Sequence, residues 1–274
     1  MKSCAFLASM IVLLAGAAGS VFAQSETDLA KATQNPIADL TSIPVQFNFY
    51  SGGDLGTQTQ TVTNLQPVMP LPINDKWNVI ARTVIPFVSV PLPGGERSYG
   101  IADIQEQLFL TPAKTGGLVW GVGAVASLPT ATNAAVSTGQ TALGPAGVAL
   151  KMTGPWVVGA LANNIWRVMG EDPSGGGINQ FFLQPFINFN LKRGWALSSA
   201  PAITADWNAP SGEQWTVPVG MGISKVTRIG NRPVSVLLQY YHLAERPPGT
   251  PDTNWRMQIN FLFPNPKPKE HAAG

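Results

Sequence analysis

Asn254-Trp255-Arg256-Met257-Gln258-Ile259-Asn260-Phe261-Leu262-Phe263 alternates large apolar with polar side chains almost residue by residue. In an extended chain Trp255, Met257, Ile259, Phe261 and Phe263 share one face, and Arg256, Gln258 and Asn260 share the other. That is the period of two that a strand with unlike sides requires. The same pattern returns upstream. Phe181, Leu183, Ile187 and Phe189 alternate with Gln184, Asn188 and Asn190, and Trp215, Val217, Val219, Met221 and Ile223 alternate with Thr216, Gly220, Gly222 and Ser224. One face is oily and the other polar or small.

Segments of this kind begin near Val45, Leu65, Trp77, Ala102, Leu118, Ala142, Trp156, Phe181, Trp195, Trp215, Val234 and Trp255. They amount to about 12 strands of roughly 8 to 12 residues, the length that crosses a bilayer when tilted and an even number. Two kinds of connection alternate between them. Asn74-Asp75, Thr153-Gly154, Lys192-Arg193-Gly194 and the turn from Arg228 to Pro233 are mostly short. Ser51 to Gln60, Leu128 to Gln140, Arg167 to Ile178 and Ala244 to Thr253 are longer and rich in Gly, Pro, Ser and Thr. Short turns at one end and long loops at the other are the habit of outer-membrane barrels. In hydrocarbon an unpaired backbone group costs several kcal/mol, so such a sheet must close on itself, first strand against last.

Composition agrees. Of 274 residues, 12% are charged and 45% hydrophobic, whereas soluble domains carry about twice that charged fraction. Only the start of the chain holds a longer apolar run. Lys2 precedes Phe6 to about Ala18, and Val21-Phe22-Ala23 fits a signal peptidase site before Gln24. The single cysteine, Cys4, lies inside that leader, so the mature chain is expected to lack disulfides, thiolate metal sites and cysteine nucleophiles. A net charge of +2 without a basic, aromatic-laced run argues against nucleic acid as a partner.

Tryptophan favours the headgroup level. Trp77, Trp156 and Trp195 open strands after short turns, while Trp166, Trp207, Trp215 and Trp255 flank long loops, so the two groups are expected to form girdles at opposite interfaces. The alternative is that they fill a soluble core. Glu26 to Leu40 has the makings of a short helix, broken at Asn35-Pro36, that rests at the periplasmic mouth or plugs the lumen.

Several stretches resemble one bacterial family, the outer-membrane β-barrel proteins of the MetA-pathway of phenol degradation type, some of which carry the label neuromedin U. The matching text includes Leu29-Ala30-Lys31, Gln34 through Leu40, Leu65-Gln66-Pro67, Ile101-Ala102-Asp103-Ile104, Gly121-Val122-Gly123, Leu143-Gly144-Pro145, Trp156 through Asn164, Gln180 through Phe186, and Phe261-Leu262-Phe263. The resemblance implies a barrel and a transport role, with no agreed substrate and no catalytic residues. It also makes the aromatic ending at Phe263 an assembly signal, here followed by the tail Pro264 to Gly274.

The polar faces assign Gln46, Asn48, Arg82, Asp103, Gln105, Gln107, Gln184, Asn188, Asp206, Arg256, Gln258 and Asn260 to the lumen. Arg82 and Arg256 are candidates to pair with Asp103 and Asp206, as a selective constriction or as a structural bridge. Glu106 has lipid-facing parity, which calls for a bulge or an interfacial position. His242 and His271 are the only histidines. A lipid hydrolase on the outer wall would need His242 beside a serine, and Ser235 of the same strand is too distant.

The expectation is therefore an all-β chain: a transmembrane antiparallel up-and-down barrel of about 12 strands with a short N-terminal helical segment. Residues 1–23 form a cleaved leader, 24–42 a periplasmic or plug segment, 43–263 the barrel and 264–274 a tail. Expected partners are outer-membrane lipid, the barrel-assembly machinery and a small permeant, with no cofactor, metal or catalytic step. A filled barrel that binds through its loops, and a soluble β-sandwich, are the competing readings.

Overall fold

The computed structural model describes residues 26–114, 116–170, 177–230 and 232–263. The expected leader and C-terminal tail lie outside the described residues.

Among the described residues the chain forms one α-helix, α1 (Glu26–Thr33), four short 3-10 turns and fifteen strands. These are β1 (Thr41–Ser51), β2 (Thr59–Leu65), β3 (Val68–Pro72), β4 (Trp77–Pro91), β5 (Arg97–Ile101), β6 (Ile104–Pro112), β7 (Leu118–Leu128), β8 (Thr141–Thr153), β9 (Trp156–Met169), β10 (Asn179–Asn190), β11 (Trp195–Ser199), β12 (Ile203–Asp206), β13 (Trp215–Ile229), β14 (Arg232–Glu245) and β15 (Thr253–Phe263). Three traverses of the wall are interrupted, β2/β3, β5/β6 and β11/β12, so the fifteen strands make a closed barrel of 12 staves. Every pairing is antiparallel. The first and last strands meet along their whole length, from Thr41 opposite Phe263 to Ser51 opposite Thr253. Among the described residues neither terminal strand is therefore left as a free edge.

The interruptions are the main departure from the expected strands. A strand expected near Leu65 begins at Thr59, and one expected near Ala102 begins at Arg97. Proline supplies the reason at two of the three breaks, because it cannot donate to the ladder. At the first, Gln66 N–H donates to Pro44 O (2.9 Å) and Thr83 N–H donates to Pro67 O (3.1 Å), which carries the wall past the gap. At the second, Ala102 N–H donates to Pro86 O (2.8 Å). Pro201 stands in the third, between β11 and β12.

The alternation sorts side chains as the sequence requires. On β15 Asn254, Arg256, Asn260 and Leu262 are buried inside, whereas Trp255, Met257 and Phe261 lie on the outer surface. Outer positions elsewhere are apolar and exposed, among them Val122, Leu143, Val219, Met221 and Leu238. A contiguous apolar outside with a polar inside is the inverse of a soluble β-sandwich, whose apolar faces meet each other. The large hydrophobic cluster runs through the interior from Val68 of β3 and Ile80 of β4 to β10, with Phe109, Val125, Val148, Leu150, Val157, Leu161 and Phe186 packed together in it.

Candidate functional site

The interior that the cluster leaves free is a cavity of about 520 Å³. At one end it is lined by the N-terminal segment, including Gln34 and Pro36, and at the other by residues beside the long loops, including Asp206, Gln214 and Pro247.

The N-terminal segment sits in the mouth at the short-turn end. In α1, Leu29 and Ala30 bury against Val226 of β13. Past the helix, Asn35 Oδ1 accepts the Ile37 N–H (3.0 Å), a local turn that ends the helix near the Asn-Pro break read from the sequence. Gln34 and Asn190 exchange two amide hydrogen bonds, each 3.0 Å. Ile37 enters the large cluster, and a Cβ at Gly121 would meet its Cδ1 at 3.3 Å. Gly121 thus leaves room for Ile37. Likewise a Cβ at Gly159 would meet the Phe186 ring at 2.6 Å.

One wall of the cavity carries a connected polar rail. Gln46 Nε2 donates to Gln258 Oε1 (3.0 Å), and Asn48 Nδ2 donates to Gln46 Oε1 (3.2 Å). Arg256 donates through Nε to Asn48 Oδ1 (3.1 Å) and through Nη1 to Ala200 O (2.9 Å), with its guanidinium 5.1 Å from the centre of the Tyr241 ring. Arg82 donates to Gln107 Oε1 (3.1 Å) and to Gln66 Oε1 (2.7 Å). Gln105, Gln184, Asn188 and Asn260 complete the lining that parity assigned to the lumen, together with Gln46, Asn48, Gln107, Arg82, Arg256 and Gln258.

The expected arginine–aspartate pairs do not form. Asp103 lies at the β5/β6 break, away from the cavity lining, and its carboxylate is taken up by the loop between β7 and β8. It accepts from Thr138 N–H (2.7 Å), Thr138 Oγ1 (2.6 Å), Ala131 N–H (3.1 Å) and Ser137 Oγ (3.4 Å). Asp206 does line the cavity, at its loop end, where its Oδ1 accepts the Asn208 N–H (3.0 Å). Backbone donors in a folded loop outcompete a guanidinium across the lumen because they are already positioned.

Sequence reasoning did not find Asn64, Gln66, Phe182, Phe186 or Gln239 on the lining. Starting the second strand at Leu65 hid Asn64, which pairs with Gln46 at the same parity. The Gln34–Asn190 contact joins residues 156 apart and leaves no local signal.

On the outer surface Trp77, Trp120, Trp156 and Trp195 stand at the short-turn ends of strands, and Trp166, Trp207, Trp215 and Trp255 near the loop ends. Trp77 and Trp120 meet edge to face at 6.1 Å, as do Trp207 and Trp215 at 5.4 Å. Glu106 faces outward, as its parity requires, and is neither at a strand end nor in a bulge. Thr83 Oγ1 donates to it (2.6 Å), which supplies the partner that an outward carboxylate needs. His242 is exposed on the outer face, whereas Ser235 points into the cavity. Opposite faces of one strand separate the two.

At the loop end, Asp54 joins two loops. It accepts the Gly249 N–H (2.6 Å) and the Arg246 guanidinium (3.1 Å). These donors, the backbone amide first, hold its carboxyl below the ordinary value.

The fold is similar to that of the COG4313 outer membrane channel from Pseudomonas putida F1, with a TM-score of 0.61 and 12% identity over 82% of this chain and 96% of that one. Weaker likenesses include the CymD monoaromatic hydrocarbon channel (TM-score 0.44, 12% identity, 91% and 94% covered). Outer membrane phospholipase A from Escherichia coli is similar to a like degree (TM-score 0.42, 12% identity, 82% and 96% covered). At such identities the likeness is one of fold. No protein-family model matches the chain, and no curated protein sequence does.

Proposed function

We propose that the protein is a passive channel of the bacterial outer membrane, exported through its N-terminal leader, that admits small solutes through the barrel lumen. The observation that carries this reading is the cavity of about 520 Å³ inside a closed wall, bordered by Gln, Asn and Arg side chains rather than filled by them. A filled barrel would close that space with packed side chains. The volume falls in the range of about 300 to 1,000 Å³ typical of small-molecule sites. The apolar outside suits acyl chains, the tryptophans at both strand ends suit the two headgroup layers, and outer-membrane lipid and the barrel-assembly machinery are the matching partners. A preference for hydrophobic or aromatic solutes draws support from the resemblance to the MetA-pathway family alone. The reading has no catalytic step, cofactor or metal.

The competing reading, a closed barrel that binds through its loops, is favoured by one feature: α1 and the segment after it occupy the short-turn mouth. Planar-bilayer recording on the full mature chain, and on a variant beginning at Thr41, separates the two. Small conductance steps are expected from the first and larger ones from the second. Silence from both, with heat-modifiable gel migration intact, would overturn the channel.

A further inference from the structure

The geometry points to a permeant class: an amphipathic anion, with an apolar body and a carboxylate or similar oxyanion head, bound in the lumen with its head on Arg82 and Arg256. The inference rests on the channel reading for its meaning, although the site itself can be tested without transport.

The cavity brings apolar and cationic groups together. In the ring of 12 staves β9 and β10 stand six staves from β1 and β2/β3, on the opposite side of the barrel. Ile165, Phe182 and Phe186 line the cavity from β9 and β10, interspersed with Asn163, Gln184 and Asn188, whereas Arg82 and Arg256 stand on β4 and β15 beside Asn48, Gln66 and Gln107. Arg256 reaches Ala200 O, and Ala200 packs with Phe182 against the large hydrophobic cluster, so a solute held by the guanidinium groups has phenyl rings within its reach.

The charge balance fixes the sign of the head. The charged groups on the lining are Arg82, Arg256 and Asp206, and Asp206 stands at the loop end. Among the described residues neither arginine has a carboxylate within ion-pair distance, and each spends two of its five N–H donors on neutral oxygens. Arg256 is 5% exposed. A guanidinium withdrawn from bulk water and matched only by amide and carbonyl oxygens keeps most of its charge unbalanced, and a planar oxyanion complements the free edge of its fork. The Asn48, Gln66 and Gln107 amides, already bound to the arginines, hold both groups in place for that contact.

The test is equilibrium binding to the full mature barrel in nanodiscs, corrected with protein-free discs, using 2-naphthoate, 2-naphthalenemethanol and acetate. Because charge-assisted hydrogen bonds exceed neutral ones, naphthoate is expected to bind about tenfold or more tighter than the alcohol. Acetate, lacking the ring, is expected to bind weakest. An R82Q/R256Q variant should bring naphthoate to the level of the alcohol and leave the alcohol unchanged, and Phe186→Ala should weaken both aromatic probes together. Equal binding of naphthoate and alcohol to the unaltered protein overturns the inference, and so does a preference that survives in the double variant. Should the double variant not fold, the unaltered protein's preference decides, with Arg82→Lys expected to retain part of it. Selective binding with silent bilayers would remove the channel and keep the site, while conductance without selective binding would do the reverse.

Discussion

Arg82, Asp103 and Glu106 lie within a few residues of one another across neighbouring staves, yet each charge is answered differently. Arg82 has two glutamine oxygens, Asp103 has four loop donors and Glu106 has one threonine hydroxyl. Parity put Arg82 on the cavity side and Glu106 on the outer side, but Asp103, expected in the lumen, is not on the cavity lining. Parity could not supply partners, because the partner of Asp103 arrives from a loop some 35 residues downstream. Asp103→Ala is expected to free that loop at a cost on the order of 2 to 4 kcal/mol, since charged acceptors contribute about 1.5 to 3 kcal/mol per bond and the losses overlap. Limited proteolysis between residues 128 and 141 reads this out. Unchanged cleavage, with the barrel folded, would mean the carboxylate does not hold the loop. A second residue-scale expectation concerns Gly121. Gly121→Val would press into Ile37, where a Cβ alone already stands at 3.3 Å from Cδ1. Displacement of the plug should raise conductance while heat-modifiable migration stays normal.

At the scale of elements, loop is tied to loop and the N-terminal segment to the wall. Asp54 ties the loop after β1 to the loop between β14 and β15 through Gly249 and Arg246. Its folded pKa lies below the ordinary value of 3.8. Protons are thus bound more readily when the loops are apart, and the tie is fully present above that ordinary value. It is lost as pH falls through the lower folded value. Protease nicking of residues 246–252 should rise only in that acid window, and Asp54→Asn should show the raised rate at neutral pH. A rate independent of pH in the unaltered protein would show that the carboxylate is not the tie. The plug belongs to the same scale. Ile37→Ala removes a side chain buried to 3% exposure, and such truncations cost about 2 to 5 kcal/mol. Detachment of the segment, seen as larger conductance steps, is the expected result.

For the whole molecule the decisive property is which face meets hydrocarbon. Met221 lies midway along β13 and is 56% exposed on the outer surface. Met221→Arg should lower unfolding stability in lipid vesicles by about 2 to 4 kcal/mol, the cost of a cation near the bilayer midplane. Ser224→Arg, on the lumen side of the same strand, should cost less, because its charge can reach water in the cavity. Equal losses would mean that the outer surface does not face lipid.

The period of two along Asn254 to Phe263 and its counterparts determined the all-β class, the number of staves, the alternation of faces within a strand and the need to close, because these follow from strand geometry and from the cost of an unpaired peptide in hydrocarbon. Ser235 and His242 show how far that reaches: the sequence separated them by distance along one strand, and their opposite faces came from the structure. Tertiary structure alone decided what fills the lumen. Ile37 beside Gly121, Gln34 against Asn190, and arginines matched by amides rather than aspartates all join residues distant in the chain. Parity tells which side of the wall a group occupies, but the barrel's interior is a shared space. Who meets whom there depends on the register of every stave at once and on how loops and plug fold into it.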